Sequence, residues 1–134
     1  MRLLVSKFLS FVALAAVCTM IFSATAQANP YIEFQAQTVH LDNEGEATIE
    51  GYFENTGDTD AYVKWVEFDL TLTARNGQQM WEDFGIRHYT DVFVPAGEMV
   101  YYEFSIEDYQ IPEYHGKFRS NFQNVRTYWS TAAG

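Results

Sequence analysis

Apolar and polar residues alternate along most of the chain after residue 28, which is the period of a β-strand with one buried and one solvated face. The stretch 47–74 shows this most clearly, because two alternating runs flank the polar loop 55–60. Gly51 interrupts the first run, and we expect a bulge or a closely packed neighbour there. The apolar positions of the two runs, which should face the core, are Ile49, Phe53, Val66, Phe68, Leu70 and Leu72.

Turn signals divide the rest of this region into further strands. They lie at Asp42–Gly45, at Asn76-Gly77 and at Pro95–Glu98, where Asn, Gly and Pro favour tight turns. No segment has the helical period. We therefore predict an all-β fold, an antiparallel Ig-like β-sandwich of about seven strands, with a small closed barrel as the alternative. Besides the central pair, strands are expected at Tyr31–Leu41, Gln79–Phe84, Val92–Val94, Met99–Ile106 and Gly116–Ser130, the last with a bulge near Gln123-Asn124.

These positions also resemble a known type of domain. The pattern Ile49-x-Gly51-x-Phe53-x-Asn55-x-Gly57, then a strand ending at Asn76-Gly77, then Pro95–Glu98 before an aromatic strand, is similar to FxLYD-type and related fibronectin-like domains of bacterial exported proteins. The similarity covers roughly residues 47–106. It implies an Ig-like fold, export, and a role in adhesion or assembly rather than catalysis. Residues 68–72 lack the Tyr-Asp pair of that pattern, so the resemblance carries over no functional residues.

Residues 1–28 have the order of a secretory signal peptide. Arg2 and Lys7 precede the apolar run Phe8–Phe22, and Ala26-Gln27-Ala28 is a cleavage motif. The run is shorter than the roughly 20 apolar residues of a spanning helix, which argues against an uncleaved anchor. We predict one mature domain, residues 29–134, that is secreted, periplasmic or at the cell surface, with no membrane insertion after cleavage. The chain's single cysteine, Cys18, leaves with the signal, so this domain folds without a disulfide.

The chain is strongly acidic. Its formal net charge is −10, and all 18 acidic residues lie after residue 28. This argues against binding to nucleic acid or to an anionic membrane surface, since both require basic patches. From Lys117 onward the sign reverses, because Lys117, Arg119 and Arg126 occur there without any acidic residue. These cations are expected to pair internally with acidic neighbours, or to dock head to tail on another copy of the chain.

Catalytic and metal chemistry find little support in the residue pattern. No cysteine occurs after Cys18 and no Gly-x-Ser-x-Gly motif is present, and the adjacent acid pairs are typical of a solvated acidic surface. We expect no enzyme activity and no cofactor. His40, His88 and His115 are weak candidates for metal ligands, because no two have a short ligand spacing. A small periplasmic metal-binding protein is therefore only an alternative.

Three aromatic residues on polar strand positions are the candidate binding residues, namely Tyr52, Trp65 and Tyr101. A row of such rings on one sheet would anchor a protein partner or stack on sugars. The alternative is that Trp65 is partly buried under a loop and that the tyrosine hydroxyls merely face water. The sequence thus predicts a non-enzymatic interaction module with a protein partner or self-association, and a carbohydrate-binding module as the alternative.

Overall fold

Six β-strands make up the fold of the described part of the chain. The computed structural model describes residues 29–133, and the predicted signal peptide, residues 1–28, lies outside them. No helix occurs among the described residues, and hence none that could cross a membrane. The strands are β1 (Ile32–Asn43), β2 (Glu46–Asn55), β3 (Ala61–Ala74), β4 (Gln79–Val94), β5 (Met99–Glu107) and β6 (Phe118–Ser130).

The strands form two three-stranded antiparallel sheets. The first sheet has the order β1-β2-β5 and the second has the order β4-β3-β6. The chain passes between the sheets after β2, after β4 and after β5. On one side of the molecule β1 lies beside β6, and the Thr127 hydroxyl donates a hydrogen bond to the Ile32 carbonyl. This arrangement confirms an all-β fold of two antiparallel layers, compatible with a β-sandwich.

The prediction of about seven strands was wrong by one. The two short strands expected at Gln79–Phe84 and Val92–Val94 are parts of the single 16-residue strand β4. Its alternation is hidden because Phe84 and Gly85 together face one residue of β3, Asp69. Gly85 has a φ of +66°, which glycine adopts without steric cost. A two-for-one bulge of this kind breaks the period-two pattern without ending the strand.

The inward faces of the two sheets form one apolar core, as the alternation predicted. β3 lies at the centre of the second sheet, and its inward-facing residues Val63, Val66, Phe68, Leu70 and Leu72 are fully buried. The predicted crowding at Gly51 is confirmed, because a Cβ there would collide with the Gln35 carbonyl oxygen and lie 2.7 Å from the Phe34 ring. The largest fully buried side chains include Ile32, Leu41, Ile49, Phe53, Val63, Val66, Phe68, Leu70, Leu72 and Val94.

One buried polar side chain joins three segments at the end of the sandwich where β2 ends. The Asn55 amide accepts hydrogen bonds from the backbone N–H groups of Tyr31 and Gly57, and it donates to the carbonyls of Thr59 and Val94. Asn55 is fully buried, and all its side-chain polar capacity is used. It therefore fixes the loop between β2 and β3 relative to β1 and β4.

Candidate interaction surface

The outer face of the second sheet presents five aromatic rings close together. Cross-strand pairing places Trp65 of β3 opposite Tyr89 of β4 on one flank and opposite Tyr128 of β6 on the other. One step along the same face, Tyr62 is opposite Phe93. Tyr89, Phe93 and Tyr128 are 68%, 45% and 53% exposed. We call Tyr62, Trp65, Tyr89, Phe93 and Tyr128 the aromatic patch.

A bulge in β3 brings Tyr62 and Trp65 onto the same face. Three residues apart in a regular strand, they would point to opposite sides. Val63 is paired with Trp129, and Trp65 is paired with the adjacent residue Tyr128. Lys64 is therefore an extra residue of β3 without a partner in β6. Lys64 and Trp65 both lie outside the core, while Val63 and Val66 are fully buried. The bulge therefore places Tyr62, whose ring contacts that of Phe93, on the same face as Trp65.

The indole of Trp65 is held from both flanks. The Tyr128 ring stacks on it at a centroid distance of 5.4 Å and an interplanar angle of 10°. The guanidinium carbon of Arg87 lies 4.2 Å from the indole centroid, within the range of a cation–π contact. Since Arg87 is on β4 and Tyr128 on β6, these contacts come from opposite sides of β3. The indole is thus packed against a ring from β6 and a guanidinium from β4.

Charged groups fix the position of Arg87. The Glu67 carboxylate accepts hydrogen bonds from Arg87 Nε and Nη2, at 3.1 and 2.8 Å, and from Arg126 Nη2 at 2.6 Å. The hydrogen bond from Arg87 lowers the pKa of Glu67, and Arg126 adds to the effect. One carboxylate on β3 thereby ties together β4 and β6, and it orients the guanidinium against Trp65.

Of the three predicted aromatic residues, Tyr52 and Tyr101 lie together, whereas Trp65 lies apart from them. Tyr52 and Tyr101 form a cross-strand pair on the outer face of the first sheet, with ring centroids 5.8 Å apart and planes at 72°. Partial desolvation and a hydrogen bond to Glu103 raise the pKa of Tyr101 to about 12. Trp65 lies on the second sheet, so the expected single row of rings was wrong. Residue parity predicts the outward face of each strand, whereas it carries no information on which sheet the strand joins.

The three histidines have separate partners. His40 Nε2 lies 3.5 Å from a Glu50 carboxylate oxygen, and His115 Nε2 lies 2.8 Å from Glu113. His88 instead faces the space between the sheets. Within residues 29–133, no three His, Cys, Asp or Glu side chains are grouped as a metal site needs.

Sequence patterns alone missed most members of the aromatic patch. Tyr89 lies in a segment whose alternation the β4 bulge obscures, and Tyr128 lies beyond a second bulge. That second bulge was expected near Gln123-Asn124 and is confirmed, with φ of +53° at Asn124. With the phase change of β6 taken into account, Tyr128 falls on the outward face. The sequence alone could therefore predict that Tyr128 faces outward, but it could not predict that Tyr128 pairs with Trp65.

Comparison with known proteins found no matching family model, no matching curated protein and no matching solved structure. The resemblance to FxLYD-type domains therefore stays a prediction.

Proposed function

We propose that this protein is a non-enzymatic, exported binding domain that recognises another protein through the aromatic patch. The observation that carries this proposal is the grouping of five aromatic rings, Trp65 among them, on one outward sheet face. Isolated exposed aromatics are ordinary on protein surfaces, whereas a contiguous group of them is typical of an interaction site. Tyrosine and tryptophan also supply large contact areas at low conformational entropy cost.

The composition of this surface favours a protein ligand over a sugar. Sugar stacking uses the open face of a ring, and the Trp65 indole already stacks on Tyr128 and packs against Arg87. Aromatic rings beside arginine, surrounded by polar groups, are characteristic of the energetic centre of protein interfaces. The ion pairs of Glu67 hold this centre in a fixed geometry before binding, which lowers the entropy cost of association.

Export is supported by the order of residues 1–28 and by the acidic composition of residues 29–134. A positive start, an apolar run and an Ala-x-Ala motif are the features that direct a chain to secretion. We place the domain in the periplasm, at the cell surface or outside the cell, where its partner must also be found.

Affinity capture from the envelope and extracellular fractions of the source cells tests the proposal. The purified protein is immobilised, and captured proteins are quantified by mass spectrometry against the double variant Trp65→Ala/Tyr128→Ala. We expect at least one partner whose recovery falls by about tenfold or more, because central aromatic residues contribute about 2 kcal/mol or more each. Phe84→Ala is the matched control, since Phe84 is 64% exposed but lies outside the patch.

Two results would replace this proposal. If every captured protein is retained equally by the double variant, the aromatic patch is not the binding surface. If a glycan array binds the wild-type protein and the double variant abolishes that signal, the ligand is a carbohydrate. Circular dichroism and thermal unfolding establish that the variants are folded, and size-exclusion chromatography at two concentrations reports self-association.

A further inference from the structure

Three cations near the start of β6 and in the adjacent β3–β4 turn share one cleft, and no carboxylate within residues 29–133 forms an ion pair with them. Arg75 in the β3–β4 turn and Lys117 and Arg119 near the start of β6 line a cleft of about 270 Å³ together with Phe118. All three cationic side chains are exposed. Among residues 29–133 none of them forms an ion pair, whereas Lys64, Arg87 and Arg126 each pair with a carboxylate. In so acidic a chain, a group of unpaired cations requires an explanation.

The cleft lies at the outer edge of β6, which borders β1 across a groove of about 430 Å³ lined by residues 37–40 and by Gly116, Lys117, Phe118 and Ser120. β6 is the last strand of the second sheet, so the backbone groups on its far side are unpaired within the sheet. Residues 118–123 pair with β3 in regular register, and the bulge at Asn124 ends that regular stretch. Six residues of extended chain span about 20 Å, which is long enough to pair with a short peptide segment.

β6 differs in charge from the other three strands at sheet edges. β1 carries Glu33 and Asp42, β4 carries Glu82, Asp83 and Asp91, and β5 carries Glu103 and Glu107. β6 carries Arg119 and Arg126 and no acidic residue. Like charges on opposed strands repel, so an acidic segment would be disfavoured at the other edges and favoured at β6.

The two faces of this edge indicate the pattern of the segment that fits it. Phe118 and Phe122 lie partly buried against the core on the inner side. On the outer side, Arg119 is paired with Thr73 and is exposed. An added strand would therefore place apolar side chains beside the two phenylalanines and carboxylates beside the cations of the cleft.

We propose that an extended segment of a protein partner, alternating acidic and apolar residues, adds as a strand to residues 118–123 of β6. Its carboxylates bind Arg75, Lys117 and Arg119. This inference rests on the proposed function only in that the ligand is a protein, since the site is separate from the aromatic patch. Backbone pairing supplies affinity, and the cations select the acidic sequence.

Fluorescence anisotropy with a labelled six-residue peptide of alternating Glu and Val tests the site. An ionic strength of about 0.15 M is suitable, because the screening length is then about 8 Å. Repulsion between the acidic peptide and distant carboxylates of the protein is screened, whereas its direct contacts with the cations of the cleft are screened less. We expect saturable binding that Arg75→Gln/Arg119→Gln weakens at least tenfold. Arg119→Gln is compared with Lys64→Gln, which removes the same charge far from the cleft and should leave binding unchanged.

Hydrogen exchange distinguishes strand addition from simple charge attraction. We expect the peptide to protect amides within residues 118–123, and a matched peptide of alternating Lys and Val to protect none. Absence of peptide binding, or of protection in this stretch, would overturn the proposal. So would competition by inorganic phosphate at equal concentration, which would indicate a site for free anions. Trp65→Ala should retain peptide binding, so failure of the aromatic patch and failure of this site are separate results.

Discussion

His88 of β4 and Tyr102 of β5 meet across the side of the molecule opposite the β1–β6 contact. His88 Nε2 and the Tyr102 hydroxyl oxygen are 2.7 Å apart, and the imidazole stacks on Phe104 at a centroid distance of 4.3 Å. β4 and β5 belong to different sheets, so this pair links the two layers at an edge that no backbone ladder closes. The environment is largely apolar and favours the neutral imidazole.

The stability of the protein should depend on the protonation of His88. Burial lowers the pKa of His88 below its ordinary value of 6.5, so the unfolded chain takes up the proton first. Stability is therefore complete above about pH 6.5 and falls as the pH drops from there toward the lower folded-state pKa. Urea unfolding at a series of pH values between 8 and 5 measures this, and His88→Gln should flatten the slope in that range. Gln37→Ala, at an exposed position without a titratable group, is the control and should leave the slope unchanged.

Asn55→Ala should destabilise the fold by at least about 2 kcal/mol, because it leaves several backbone groups at a buried site without partners. Chemical denaturation gives the change in the free energy of unfolding. Asn121→Ala, at an exposed position of β6, should change that free energy by less than about 0.5 kcal/mol. Equal effects of the two substitutions would contradict the role assigned to Asn55.

Gly51→Ala should cost about 1–3 kcal/mol, since the added methyl group meets the Gln35 carbonyl and the Phe34 ring. The backbone oxygen cannot move aside without disturbing the pairing of β1 with β2. Gly77→Asn is a suitable comparison, because Gly77 has open space around it and asparagine adopts a positive φ, here +89°, at lower cost than most residues. Thermal unfolding should show a clearly lower midpoint for Gly51→Ala than for Gly77→Asn.

Glu67→Gln should lower the midpoint of thermal unfolding at pH 7. It should also make the stability of the protein decrease less when the pH is lowered. The bonds from Arg87 and Arg126 lower the pKa of Glu67 from its ordinary value of 4.5. The carboxylate therefore stabilises the fold above about pH 4.5, and this contribution is lost as the pH falls through the folded-state pKa. Glu54→Gln changes the same charge on the other sheet without disturbing an arginine pair. If the stability of both variants depends on pH in the same way, the role assigned to the Glu67 ion pairs is contradicted.

The outward aromatic positions show how far the sequence leads toward the site. The alternation of apolar and polar residues predicted that Tyr52, Trp65 and Tyr101 lie outside the core. All three side chains do lie on outer faces. Tyr89 was missed because the bulge at Phe84-Gly85 disturbs the pattern of β4 before that residue. The grouping of rings depends on cross-strand pairs, and Trp65 and Tyr128 are 63 residues apart in the chain.

The sequence by itself determined five of the six strands, their buried faces, the turns between strands and the absence of cysteine after residue 28. These are local properties, because side-chain alternation and turn chemistry depend on neighbouring residues. Only the tertiary structure decided that β3 joins β4 and β6 while β2 joins β1 and β5. That choice rests on packing and pairing between distant segments, and it separated Trp65 from Tyr52 and Tyr101. It also left the outer edge of β6, a strand without acidic residues, beside three cations that have no ion-pair partner within residues 29–133.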